Sequence, residues 1–177
     1  YPPIKLSVQV QDKHLWIVRD GGAIEAFDLK QNILTEVVVF PFPEDCSVVG
    51  IFEHFDDSVF AVSDKGHLAF WSFENPEVEL MQIPGVLCVQ AVAKVSNFLA
   101  VGGKGNQNNL KVFDLKKKQI IYTAKSTMDV RINQAINVDI RAICFTKFDS
   151  AEFVATANSN GQIFLYDFSK KSSVSSL

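Results

Sequence analysis

The chain has 177 residues, 47% of them hydrophobic, and a formal net charge of −3. A chain of that length and apolarity can bury a substantial core, and it contains no apolar run of the roughly 18 residues that a membrane-spanning helix requires. Tyr1 is followed by no charged-then-apolar leader, so no targeting segment is expected.

Short strands are expected throughout, in four groups. The first group, residues 1–40, has a strand over 4–10, a hairpin LWIVRDGGAIEAFDL from Leu15, and a strand over 33–40. The second, 47–83, has a strand over 47–52, the hairpin VFAVSDKGHLAFWSF from Val59, and a strand over 78–83. The third, 87–124, has strands over 87–93, 98–101, 110–115 and 119–124. The fourth, 139–168, has a strand over 140–145 and the hairpin FVATANSNGQIFLYDF from Phe153, while the polar, Ser/Lys-rich residues 169–177 read as a linker or the start of a further unit. Period-two alternation of β-branched and aromatic residues, bounded by Gly, Asn and Lys clusters, is the hairpin signal.

These groups are repeats of one unit. Each hairpin ends in an aromatic, Phe27, Trp71, Phe113 or Tyr166, followed by Asp28, Ser72, Asp114 or Asp167. Successive aromatics are 44, 42 and 53 residues apart, near the roughly 40–45 of a four-stranded propeller blade. Gly22, Gly66 and Gly161 occupy the turns, where a positive φ costs glycine least. The fold class is therefore all-β, a WD40-type β-propeller with about four blades present. An open arc exposes sheet edges, so the four are expected to belong to a ring of about seven, with a self-contained four-bladed ring as the alternative.

Charge is unevenly spread. Residues 1–93 hold 5 Lys/Arg against 14 Asp/Glu, a net of −9, whereas residues 94–147 hold 10 against 3, a net of +7. A basic sector on an acidic protein points to a directed partner surface, although Lys116–Lys118 taken alone read as a solvated turn. The link over residues 125–139 is about ten residues longer than the other links, and long connections in compact folds tend to be functional or disordered. In a propeller this link and the 104–109 turn emerge on one face. Lys104, Lys125 and Arg131 are thus expected to cluster there, with Asp129 orienting Arg131.

Val101-Gly102-Gly103-Lys104-Gly105, then Leu110–Leu115, Thr123-Ala124-Lys125, 128–132 and Asp139-Ile140 occur in a characteristic order and spacing. This stretch of about 45 residues resembles a WD-repeat family of nucleolar assembly factors of the large ribosomal subunit. Members of that family carry a GGK-x-N-x-LK-[VI]-[WF]-D-L segment followed by an AK and a D-L-R element. Here Asn133-Gln134-Ala135 follows the last element, where family members commonly have Pro and Trp. The resemblance implies a non-enzymatic scaffold, in the nucleolus and nucleus, that binds pre-60S assembly factors and possibly rRNA and is released by an AAA-type ATPase. Carried over residue by residue, the partner-binding positions are Gly102, Gly103, Lys104, Asn106, Lys125, Asp129 and Arg131. Two other readings stand beside it: direct RNA binding through the basic sector, and a generic WD40 adaptor outside ribosome assembly, such as a ubiquitin-ligase substrate receptor or a trafficking-coat component.

Other chemistry finds no pattern. GGKGNQNN is followed by a strand, whereas a phosphate loop needs its terminal Gly-Lys-Ser/Thr at a helix N-terminus. His14, His54 and His67 lack metal-ligand spacing, and Cys46, Cys88 and Cys144 are isolated, so they are expected as reduced, buried thiols of an intracellular protein. Asp56-Asp57 reads as a solvated turn, and Trp71 and Phe113 read as blade core. Neither an enzyme nor a cofactor, metal, membrane or small-molecule substrate is expected.

Overall fold

Burial alternates along the strand Ala23–Asp28, where Ile24 and Ala26 are buried while Ala23, Glu25 and Phe27 are half-buried. That two-residue period follows from the pleat, which sends successive side chains to opposite faces. The computed structural model describes residues 9–11, 14–18, 23–54, 58–72, 77–125, 128–129, 134–135, 138–148, 151–169 and 174–176. They fall into two compact units, Tyr1–Gln82 and Ile83–Leu177.

In the first unit, β1 (Gln9–Gln11), β2 (His14–Val18), β3 (Ala23–Asp28) and β4 (Ile33–Val39) form one sheet in that order. β5 (Val48–His54), β6 (Ser58–Ser63), β7 (His67–Ser72) and β8 (Glu79–Gln82) form a second. Every pairing is antiparallel between chain neighbours. Trp16, Ile24, Phe40, Ile51, Val59 and Trp71 share one buried cluster joining the two sheets. The indole Nε1 of Trp16 donates across it to Glu53 Oε1 at 2.7 Å.

The second unit repeats the plan. β9 (Ala91–Val95), β10 (Phe98–Gly102), β11 (Lys111–Asp114) and β12 (Gln119–Thr123) form a meander. A small hairpin of β13 (Met128–Asp129) and β14 (Gln134–Ala135) follows. β15 (Ile140–Phe148), β16 (Ala151–Asn158), β17 (Ile163–Asp167) and β18 (Val174–Ser176) form the last sheet. Leu110, Val112, Tyr122, Ile140, Val154 and Tyr166 are buried together, and burying an aliphatic side chain of this kind contributes about 1.5–3 kcal/mol relative to exposure. Tyr122 and Tyr166 meet edge to face, centroids 6.3 Å apart.

The aspartates that end the third strands fasten the turns. Asp28 Oδ1 accepts from the backbone N–H of Lys30 and Gln31, Asp114 Oδ1 from those of Lys116 and Lys117, and Asp167 Oδ1 from that of Ser169. Each is an Asx turn that satisfies donors a tight reversal would leave open. Gly66 and Gly161 have φ of 82° and 77°, as a glycine at these turns requires. Gly22 and the Asp56-Asp57 pair lie outside the described residues.

The structure departs from the sequence expectation at three places. The fourth sheet has an outer strand, Val174–Ser176, which pairs with β17 although it lies in a stretch that reads as polar and Ser/Lys-rich. The strand expected over 87–93 begins at Ala91, because the backbone N–H groups of Leu87 and Cys88 are bound to the Asn108 side chain rather than to a neighbouring strand. The cysteines are free, but Cys46 and Cys88 are only partly buried and Cys144 is exposed. The register of β15 turns Ile143 and Phe145 toward the interior, which sends Cys144 outward.

Candidate partner-binding surface

The β10–β11 connection, residues 103–110, is built by glycine and asparagine. Gly103 lies face-on to the preceding chain: a Cβ there would stand 2.2 Å from the carbonyl oxygen of Cys88. A Cβ on Gly102 would meet Ile140 Cδ1 at 2.8 Å. Gly105, at φ 91°, turns the chain into one 3₁₀ turn, Asn106–Asn108. Gly103 N–H donates to Asn108 O at 2.8 Å, and Asn108 N–H to Gly105 O at 2.9 Å, closing the loop on itself.

Two adjacent buried amides then tie this loop to its surroundings. Asn108 Oδ1 accepts from the backbone N–H groups of Leu87 and Cys88 at 2.8 and 3.0 Å, and its Nδ2 donates to Lys104 O at 2.8 Å. Asn109 Nδ2 donates to the carbonyls of Ala124 and Lys125 at 3.3 and 3.1 Å. The link to the last sheet joins in: Gly105 N–H donates to Val138 O at 2.7 Å and Ile140 N–H to Gly103 O at 3.2 Å. Lys104 and Asp139 thereby form an isolated antiparallel bridge. The 104–109 turn and the ends of the 125–139 link are one connected surface, as the same-face expectation requires.

Charge is arranged around this frame. Lys104 and Lys125 are exposed, as are Asn106 and Gln107. Lys111 is buried, its Nζ donates to Gln107 O, and burial lowers its ammonium below the ordinary lysine value. Arg141 Nη2 donates to Asp139 Oδ2 at 2.9 Å. Desolvation pushes the Asp139 carboxyl up, but Arg141, Ser159 and the Lys104 charge outweigh it and hold it below the ordinary carboxylate value. Lys116, Lys117 and Lys118 stand exposed on the β11–β12 turn, as a solvated turn would have them.

Of the seven candidate positions, Gly102, Gly103, Lys104, Asn106 and Lys125 belong to this surface or its buried support. Asp129 lies on the β13 backbone, paired with Gln134. Arg131, and with it the Asp129–Arg131 pairing, lies outside the described residues. Asn108, Asn109 and Leu87 were not among the expected positions. An asparagine in a turn gives no sequence signal of which distant backbone it will bind.

Exposed ammonium and amide groups on such a frame can bind carboxylate or phosphate oxygens through charge-assisted hydrogen bonds. Among the described residues, no group of three or more His, Cys, Asp or Glu is placed to hold a metal ion. Cys46 Sγ lies 3.6 Å from His67 Nδ1, but burial raises the thiol above its ordinary value and disfavours the reactive thiolate.

No family model and no curated protein matches the chain. Solved structures do. U3-55K superposes with a TM-score of 0.67 at 13% identity, covering 97% of this chain and 52% of its own. The WD40 repeats of RRP9 give 0.65 at 11%, covering 93% and 49%. The computationally designed Ika4 protein gives 0.66 at 14%, covering 94% and 91%. The chain thus spans about half the length of U3-55K and of RRP9 in those structures. At such identities the likeness establishes the fold: this is a WD40-type β-propeller chain with four antiparallel four-stranded blade sheets.

Proposed function

We propose that this chain is part of a non-enzymatic WD40 scaffold in large-subunit ribosome biogenesis. It binds pre-60S assembly factors through the loop surface of its third blade, acts in the nucleolus, and leaves the particle through an AAA-type ATPase. The observation that carries the reading is the joining of the 103–109 loop, Lys125 and residues 138–140 into one hydrogen-bonded surface. Gly102, Gly103, Lys104, Asn106 and Lys125, five of the residues that resemble the assembly-factor family, support the reading by belonging to that surface or its buried support, and the two glycines occupy places where a side chain would collide. The fold supports a scaffold role, since propellers present loops on a rigid frame.

The test is sucrose-gradient sedimentation of the tagged full-length protein from a nuclear extract. Comigration with pre-60S precursors is expected, and the double charge reversal Lys104→Glu, Arg131→Glu should move it to the light fractions with its melting temperature intact. Full cosedimentation of that double variant overturns the assignment of the surface. Sedimentation of the wild-type protein only in light fractions overturns the assembly role and favours the generic adaptor.

A further inference from the structure

The Asn108–Asn109 hub fixes the backbone beneath a third exposed side chain besides the two lysines. Leu87 is 64% exposed, yet its backbone N–H is bound to Asn108 Oδ1 at 2.8 Å. The same carboxamide holds Lys104 O at 2.8 Å, so the backbones of Leu87 and Lys104 are bound to two atoms of one side chain. Asn109, the next residue, holds Lys125 O at 3.1 Å. An apolar side chain and two exposed ammonium groups therefore project from three strands of chain fixed to two consecutive amides.

Resting on the reading of this surface as partner-binding, we propose that the partner is an acidic peptide segment that carries an apolar residue. Its carboxylates pair with Lys104 and Lys125, and its apolar side chain packs on Leu87. Charge complementarity argues for acidic chemistry: residues 94–147 hold 10 Lys/Arg against 3 Asp/Glu. Leu87 argues for peptide over RNA. Sequence-tolerant single-strand binding uses aromatic faces on which bases stack, and the aromatics of β11 and β12 are occupied in the core, Phe113 at 0% and Tyr122 at 7% exposure. An aliphatic side chain held in water gains most by covering another aliphatic group.

The experiment uses the full-length protein and three fluorescent probes read by anisotropy. One is a seven-residue Glu/Asp peptide with two leucines, the second its twin with serine at both leucines, and the third a 20-nucleotide oligouridine. The proposal expects the leucine peptide to bind at least tenfold tighter than its serine twin. Leu87→Ser should abolish that difference, while Lys104→Glu and Lys125→Glu weaken both peptides. Leu87 is exposed, so its replacement leaves the melting temperature unchanged. Equal binding of the two peptides, no peptide binding, or oligouridine binding that is tightest and indifferent to Leu87→Ser overturns it, the last in favour of RNA. Gradient sedimentation of Leu87→Ser separates this proposal from the one it rests on. Wild-type protein on pre-60S particles with Leu87→Ser fully retained there refutes the peptide but leaves the assembly role standing.

Discussion

Replacing Asn108 by alanine should unfasten the third-blade loop without touching the core. The side chain is 7% exposed and makes three hydrogen bonds, at 2.8, 3.0 and 2.8 Å. At about 1 kcal/mol net for each, the loss approaches about 3 kcal/mol. Leu87 is 64% exposed, so water takes up part of its released N–H, which brings the expectation to about 2–3 kcal/mol. For a chain of this size, 1 kcal/mol moves the melting temperature by about 2–4 °C, so Asn108→Ala should lower it by about 4–12 °C. Asn106→Ala is the control, because Asn106 is exposed on the same 3₁₀ turn and such surface changes fall within about 0.5 kcal/mol. Thermal unfolding by circular dichroism reads the size of the effect, and amide exchange reads its place, since the N–H groups of Leu87 and Cys88 should lose protection together. If Asn108→Ala melts with Asn106→Ala and those two amides keep their protection, the hub does not hold the loop.

The two motif glycines should differ in cost. Gly103→Ala sets a Cβ against rigid backbone, 2.2 Å from Cys88 O, whereas Gly102→Ala meets the methyl end of Ile140 at 2.8 Å; urea titration should show losses of about 3 kcal/mol or more and about 1 kcal/mol respectively. The reverse order would contradict the packing described. Asp114→Ala removes two turn hydrogen bonds of 3.0 Å, for a loss of about 1–2 kcal/mol. Lys117→Ala should be nearly neutral, because its 3.7 Å ion pair with Asp114 has a lysine side chain that is 65% exposed. Burial raises the phenols of Tyr122 and Tyr166 above their ordinary value, with the Tyr166 and Asp167 charges adding to it at Tyr122. A group raised in the folded state contributes stability below its unfolded value of about 10 and loses it as pH rises through the folded value. Stability should therefore fall in the alkaline range above about pH 10, with tyrosinate absorbance appearing together with unfolding. Full ionisation of both phenols in a still-folded protein would refute it.

The hairpins were legible because local chemistry fixes them. The aromatic–Asp ends, the apolar alternation and Gly66 and Gly161 at left-handed turns each need only neighbours a few residues away. The outer strands were less so. Ala91–Val95 is displaced from the expected start because Asn108 takes the N–H groups of Leu87 and Cys88, and β18 is a Ser-rich strand whose pairing is set by β17 rather than by apolar alternation. On the candidate surface, Lys104 and Lys125 were legible from charge, and the approach of loop and link from propeller topology. The hub was not: Asn108 binds backbone 20 and 21 residues away, a partnership that exists only once the third sheet is folded. Leu87, expected at the start of a strand, has its backbone N–H bound to Asn108 and its side chain exposed.

A loop knotted this thoroughly has consequences for the speed of binding. Most flexible recognition segments lose about 0.5–1.5 kcal/mol per side chain ordered on association. Here Gly103, Gly105, Asn108 and Ile140 already have their N–H groups bonded within the frame, and the exposed lysine stems and the Leu87 side chain are what settle on a partner. A partner then meets a preformed surface, at about 10⁵–10⁷ M⁻¹s⁻¹, raised further at low salt by the basic sector. Substitutions within the frame should act first on how long a complex lasts, and changes at the outlying Lys116–Lys118 turn on how often it forms.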